Sequence, residues 1–197
     1  MTAVEITERT IPARWAEVVA DTPDAIAVAT ADGTVTFADL DAAARRFAVA
    51  LAAANHRSVP VAVPVDATTG SFTAIVGVLL SGRPLVVLDP ALPAERRERI
   101  LAVSGADLLP PAPGATEPSV PLPVPQPTDP AVLIFTSGST GEPKGVVHRQ
   151  ENWISQTEEA RLALGLSAAD RVGMLLPASF GAGLDVVVMS LLNGAGI

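Results

Sequence analysis

Along this chain the apolar positions change period, and each change marks an element. Ile11, Trp15 and Val18 share one face at helical spacing, and Pro12 suits a first helical position, so residues 12–20 read as a short helix. Ala25–Thr30 and Thr34–Phe37 flank Asp32-Gly33, a tight-hairpin signal. Thr36 and Asp39 are spaced as a capping box, with Asp in place of the usual Glu or Gln. Leu40, Ala44, Phe47 and Leu51 then recur at i, i+4, i+7 and i+11, the stripe of a long helix that Asn55 can end.

From Val59 onward strands and helices alternate. Val59–Val65, Pro84–Leu88 and Asp107–Leu109 read as strands; Thr68–Leu80, stopped by Gly82, and Pro93–Val103 read as helices. Apolar strands alternating with helices imply an α/β fold, with a mostly parallel sheet covered by helices. Residues 110–130 are Pro-rich and nearly uncharged, which is the composition of an extended connector. It divides the chain into an N-terminal α/β subdomain (1–109), a linker (110–130) and the start of a second α/β subdomain (131–197). In that last part Ala131–Phe135, Val146-Val147 and Val172–Leu176 read as strands. Trp153–Leu164 and Leu184–Leu192 read as helices, the second capped by Asn193-Gly194. Trp153, Thr157, Ala160 and Leu164 sit at core spacing, and the run Arg96, Arg97 and Arg99 reads as a solvated helix face. A further strand is expected to begin at Ile197. The expectation is therefore a fragment with an open sheet edge that self-associates or is unstable without its continuation.

Composition narrows the chemistry. The hydrophobic fraction is 49% but aromatics are only 4%, so the core is aliphatic. A formal net charge of −8 with no basic face argues against nucleic-acid backbone as a partner. The absence of cysteine removes disulfides, thiolate catalysis and Cys-ligated metals. His56 and His148 are far apart in sequence, so no metal site is expected. Met1–Thr10 is too polar for a signal peptide, and the longest apolar runs are too short to cross a bilayer. A cytoplasmic protein with no membrane partner is the expectation.

One segment carries recognisable chemistry, Phe135-Thr136-Ser137-Gly138-Ser139-Thr140-Gly141-Glu142-Pro143-Lys144-Gly145. Its glycines let backbone amides approach an anion closely, and successive amides form a concave anion site. The hydroxyls of Thr136, Ser137, Ser139 and Thr140 add donors, and Lys144 adds a full positive charge. The spacing is not Walker A, because Pro143 stands where the second glycine belongs, and it is not Gly-x-Gly-x-x-Gly. An unrelated α/β NTPase is disfavoured on that ground.

The same string, Phe135 to Val146, resembles the signature loop of the adenylate-forming superfamily: acyl-CoA synthetases, adenylation domains of non-ribosomal peptide synthetases, and luciferases. Thr36-Phe37-Ala38-Asp39-Leu40 is similar to that family's N-terminal motif. Leu79 to Pro90, with Asp89-Pro90, is similar to its second motif, and Pro93-Ala94-Glu95-Arg96-Arg97 resembles the peptide-synthetase branch. Pro177 to Ala195 resembles the segment that begins the acyl-substrate pocket, which places Phe180 and Gly181 there. The resemblance implies ATP and Mg²⁺ as cofactors. Thr136, Ser137, Gly138, Ser139, Thr140, Gly141 and Lys144 would hold the phosphates while a small carboxylate is activated as an acyl-adenylate. It also implies a carrier-protein or CoA acceptor.

Departures from the family qualify this picture. The downstream segments that contact adenine, ribose and Mg²⁺, and the C-terminal domain with its catalytic lysine, are not in the sequence. Lys144 belongs to the phosphate loop and does not replace that lysine. The expectation is a chain inactive by itself that needs a missing C-terminal part; the alternative is a non-catalytic nucleotide-binding or interaction module. Relatives that activate α-amino acids commonly carry Asp directly after the aromatic, whereas Gly181 follows Phe180, which favours another carboxylate. Asp185 reads as a helix N-cap or first-turn acid. His148 fits a structural or a substrate-side role equally.

Overall fold

In the computed structural model, the structure describes residues 9–53, 58–108, 121–137 and 143–197. Helix α1 (Ile11–Asp21) buries Ile11, Trp15 and Val18, the face expected from their spacing. The amide of Ile11 donates to Gln150 Oε1 at 2.9 Å, which gives an otherwise orphan first-turn N–H a partner from the far half of the chain. Strands β1 (Ile26–Thr30) and β2 (Gly33–Thr36) form the expected antiparallel hairpin. Helix α2 (Phe37–Ala53) starts where Thr36 Oγ1 accepts the Asp39 amide at 3.1 Å, as the capping pattern predicts. Its buried face is Phe37, Leu40, Ala44, Ala48 and Leu51, with Phe47 only half-buried.

Five strands form the main sheet: β3 (Val61–Pro64), β4 (Leu85–Leu88), β5 (Asp107–Leu108), β6 (Pro130–Ser137) and β7 (Pro143–Arg149). Their order is β5-β3-β4-β6-β7. All neighbours are parallel except β6 and β7. Four helices complete the fold: α3 (Thr69–Leu80), α4 (Ala94–Ser104), α5 (Gln150–Leu164) and α6 (Gly181–Leu192). Alternation along each strand sends side chains to opposite faces. Val61, Val63, Leu85 and Val132 join the core built with α1, α2, α3 and α6. Ala62, Val86 and Leu88 face the other way and pack with Ile100 of α4, Leu133 and Phe135. Strand β4, before the Pro-rich stretch, pairs in parallel with β6, after it.

Three expectations are corrected. Residues 172–176 do not form a strand. Arg171 makes a lone parallel bridge to Gly196, the Val172 amide donates to the Gly196 carbonyl at 2.8 Å, and Leu175 is 96% exposed. An apolar run without a partner strand has nothing to ladder with. Leu164, expected in the core, is 78% exposed because it is the last residue of α5 and Gly165 turns the chain away in a left-handed conformation. Arg96 and Arg97 are half-buried rather than solvated. Arg97 Nη1 donates to the carbonyls of Pro90 and Leu92 at 2.8 and 2.6 Å and pins the turn between β4 and α4. Ile197 exchanges hydrogen bonds with Ala27 and Ala29 and so sits beside β1.

Candidate functional site

The phosphate-loop candidate is held by the two most extensively paired strands of the sheet. Phe135 stands opposite Gly145, Thr136 opposite Lys144 and Ser137 opposite Pro143. Gly138, Ser139, Thr140 and Gly141 lie outside the described residues. Antiparallel pairing therefore fixes both stems of the loop and sets Thr136 and Lys144 side by side. Lys144 is exposed on β7. At Gly145 the packing leaves little room, since a Cβ there would lie 3.1 Å from two ring atoms of Phe135. The aromatic ring thus covers the glycine across the hairpin.

Beside this hairpin lies a cavity of about 390 Å³, at the C-terminal ends of β4 and β6, the usual position of ligands in open α/β sheets. Leu133, Ile134 and Phe135 of β6 form its floor. Arg96 and Ile100 of α4 form one wall, and Phe180, Gly181 and Leu184 at the start of α6 form another. The two residues expected in the substrate pocket, Phe180 and Gly181, therefore meet the stem of the loop in space. Asp89 and Ser179 line the same cavity, a role that sequence reading missed for them. Asp89 Oδ1 accepts the Ala91 amide at 2.8 Å, and Ser179 Oγ stands 3.4 Å from Asp89 Oδ2. The available signal was Asp89-Pro90 at the C-terminal end of a buried parallel strand.

Asp185 is placed differently from its expected role. Helix α6 starts at Gly181 with Phe180 as N-cap, so Asp185 lies in the second turn and caps nothing. Burial raises its carboxyl above the ordinary value, and the nearby His148 opposes that shift. His148 packs on Trp153 with ring centroids 5.9 Å apart. Trp153 is fully buried, and its Nε1 has no hydrogen-bond partner among the described residues. Among the described residues no group of three His, Cys, Asp or Glu side chains is arranged to hold a metal ion, and no helix is long and apolar enough to cross a membrane.

The chain is similar to known proteins over nearly all its length. It is 35% identical over 205 residues to phosphinothricin tripeptide synthetase PhsC of Streptomyces viridochromogenes, a match that covers 84% of this chain and 19% of that protein. It is 32% identical over 171 residues to nonribosomal peptide synthetase apmB of Penicillium brevicompactum, covering 76% of this chain and 7% of the relative. Its fold matches the nonribosomal peptide synthetase FmoA3, solved with AMPPNP bound, at a TM-score of 0.85 and 26% identity. That match covers 96% of this chain and 22% of FmoA3. The N-terminal subdomain of Klebsiella oxytoca NpsA, solved with 3-hydroxybenzoyl-AMSN, shares the fold at a TM-score of 0.86 and 22% identity, over 100% of this chain and 55% of that one. The chain thus spans a small part of its curated relatives. The family model described as AMP-binding enzyme matches residues 15–114 and 109–197. Loop, sheet and sequence agree: the chain belongs to the AMP-binding enzyme family and corresponds to the N-terminal portion of its adenylate-forming members.

Proposed function

We propose that this chain is the ATP-binding N-terminal part of an adenylate-forming ligase that activates a carboxylate as an acyl-AMP and releases pyrophosphate. The observation that carries this reading is the pairing of Thr136 with Lys144 across β6 and β7, next to a cavity of about 390 Å³. In this reading the loop donors and Lys144 hold the β- and γ-phosphates, while the substrate carboxylate approaches the α-phosphorus from the cavity side. Donors fixed by a β-hairpin need little reorganisation as charge develops on the departing pyrophosphate. Placing acid and nucleotide on adjoining walls also removes most of the entropic cost of their encounter. Mg²⁺ fits as an ion carried with the nucleotide, since it commonly keeps waters and takes phosphate oxygens with one or two carboxylates. When bound it offsets phosphate charge. The acceptor of the acyl group is a carrier protein or CoA, and the setting is cytoplasmic.

The reading includes inactivity of the 197-residue chain alone. Lys144 is the only lysine in the sequence, and this reading assigns it to the phosphates, so the family's C-terminal lysine would have to come from a further part. Titrating the chain with AMPPNP, and separately assaying carboxylate-dependent pyrophosphate exchange, tests both parts. Saturable AMPPNP binding without exchange is the expected result. Absence of AMPPNP binding overturns the nucleotide site, and robust exchange overturns the dependence on a further part.

A further inference from the structure

We infer that Asn193-Gly194 is a site of spontaneous deamidation that the fold holds in check, and that its product releases the grip of α6 on α5. The motif is chemical before it is structural. Of the asparagines in the sequence, Asn55, Asn152 and Asn193, only Asn193 is followed by glycine. Glycine has no side chain to shield its amide nitrogen, and its backbone reaches conformations closed to other residues. The Gly194 nitrogen can therefore attack the side-chain carbonyl carbon of Asn193. The N–Cγ bond forms, the Cγ–Nδ2 bond breaks, and the Gly194 amide proton leaves with Nδ2 as ammonia. Water then opens the cyclic imide at either carbonyl, which leaves aspartate or its isoaspartate isomer at this position.

In the folded chain both reacting groups are engaged. Asn193 is buried, at 7% exposed, and closes the C-terminal end of α6. Its Nδ2 donates to the Thr157 carbonyl of α5 at 2.9 Å and to the Met189 carbonyl of α6 at 3.0 Å. The nucleophile is held too, since the Gly194 amide donates to the Leu191 carbonyl at 3.1 Å. Gly194 has φ +77°, and a Cβ there would lie 3.2 Å from Ala168 Cβ, so the turn is closely packed. Beyond it the amides of Ala195, Gly196 and Ile197 donate to the carbonyls of Ser190, Asp170 and Ala27 at 3.0, 3.1 and 2.9 Å. Ring closure requires the turn to leave these partners, so the reaction runs through local opening of the α6 end.

The two Nδ2 bonds decide what the product does. Both partners are carbonyl oxygens. An ionised carboxylate only accepts, so it replaces neither bond and faces two acceptors in a buried place. The side-chain link from α6 to Thr157 of α5 is lost with the amide. The isoaspartate form also adds a methylene to the main chain, just before the segment that is bonded to Asp170 and β1. The modified chain is therefore loosened where α6 ends.

The test incubates the whole chain at mildly alkaline pH, folded and in urea. Peptide mass mapping locates the amide loss, and an isoaspartate assay identifies the product. In urea Asn193 is expected to react faster than Asn55 or Asn152. In the folded chain its reaction is expected to be slower by roughly tenfold or more, because chemistry confined to an open state scales with the population of that state. Asn193→Gln, whose longer amide cyclises poorly, should abolish the charge gain at this site in urea. The reacted fraction, separated from its own unreacted chain by anion exchange, should melt lower and exchange the amides of Gly194–Ile197 faster. Failure of the reacted fraction to refold beside unreacted chain that does refold also supports the release. Equal rates in folded and unfolded chain overturn the restraint by the fold, and absence of reaction in urea overturns the site. A reacted fraction with unchanged melting and exchange overturns the release.

Discussion

At the scale of single residues, two charges carry distinct expectations. Lys144 sits opposite Thr136 at the loop stem and brings the only lysine charge of the chain to a segment whose other donors are neutral. A hydrogen bond to a charged group is worth about 1.5–3 kcal/mol. Lys144→Ala is therefore expected to weaken AMPPNP or pyrophosphate binding by about tenfold to a hundredfold. Lys144→Arg keeps the charge and should lose much less. Equal affinity of wild type and Lys144→Ala in a nucleotide titration would remove this residue from the site. Asp185 makes a pH prediction. Its folded carboxyl is raised, so between the ordinary carboxylate value and the raised one the native state holds more protons than the unfolded chain. Stability then falls as pH rises through that window. Asp185→Asn should melt higher than wild type at neutral pH and match it at acid pH, where Asp185 is protonated in both states. Melting curves from pH 3 to 8 decide it; a mutant that is less stable at neutral pH contradicts the burial account.

Elements show where packing overrides pattern. The stripe Leu40, Ala44, Phe47 and Leu51 was legible, yet Phe47 is half-buried and Ala48 takes the core position. The same stretch of α2 packs closely on α3. A Cβ built at Gly77 of α3 would stand 2.6 Å from Phe47 Cβ and 2.9 Å from the Ala44 carbonyl oxygen, so α2 and α3 cross on a glycine. Gly183 is tighter still, with a Cβ position 2.1 Å from the Pro177 carbonyl oxygen, which ties the start of α6 to the irregular segment before it. Overpacking of this kind costs about 1–3 kcal/mol, which for a chain of this size lowers Tm by about 2–12 °C. Gly77→Ala and Gly183→Ala should show such losses, while Gly173→Ala, where nothing lies within 4 Å, should not. Calorimetric melts of the three variants check the contrast, and equal melting of all three would mean that the close crossings relax freely. The same comparison explains what the sequence could convey. Hairpin, helices and parallel strands were legible because each carries its own period or cap. The segment 172–176 was misread because its apolar run matches a buried strand, whereas strand formation depends on a partner elsewhere. Of the candidate site, residue order pointed to the loop, whose stems the structure describes, and to Phe180-Gly181, which it places at the cavity. Asp89, Ser179 and Arg96 were not, since only the sheet brings β4, α4 and the start of α6 around one cavity.

For the whole molecule, the decisive feature is the outer strand that carries the loop. Among the described residues β7 is an edge of the five-stranded sheet, paired on one side only. Val146 and Val147 point to opposite faces of that strand, and both are about half exposed, at 48% and 53%. An edge of this kind offers unpaired amides and carbonyls together with apolar side chains, the combination that recruits another strand. Leu175 and Leu176 add apolar surface. Two features oppose association. Lys144 and Arg149 place positive charge near the ends of the strand, and the net charge of −8 makes copies of the chain repel one another. Net repulsion is screened by salt, with a Debye length of about 10 Å at 0.1 M and about 3 Å at 1 M, whereas strand pairing and apolar contact are not. The chain is therefore expected to self-associate in a concentration-dependent manner, and more strongly at 0.5 M salt than at 0.05 M. Val147→Lys, which puts a third charge on the edge and removes an apolar contact, should shift the population toward monomer without lowering the melting temperature. Sedimentation at several concentrations and both ionic strengths, with a dye that reports exposed apolar surface, measures this. A monomer at every concentration and salt level, with no dye binding, would show that the β7 edge and its valines are adequately protected as they stand.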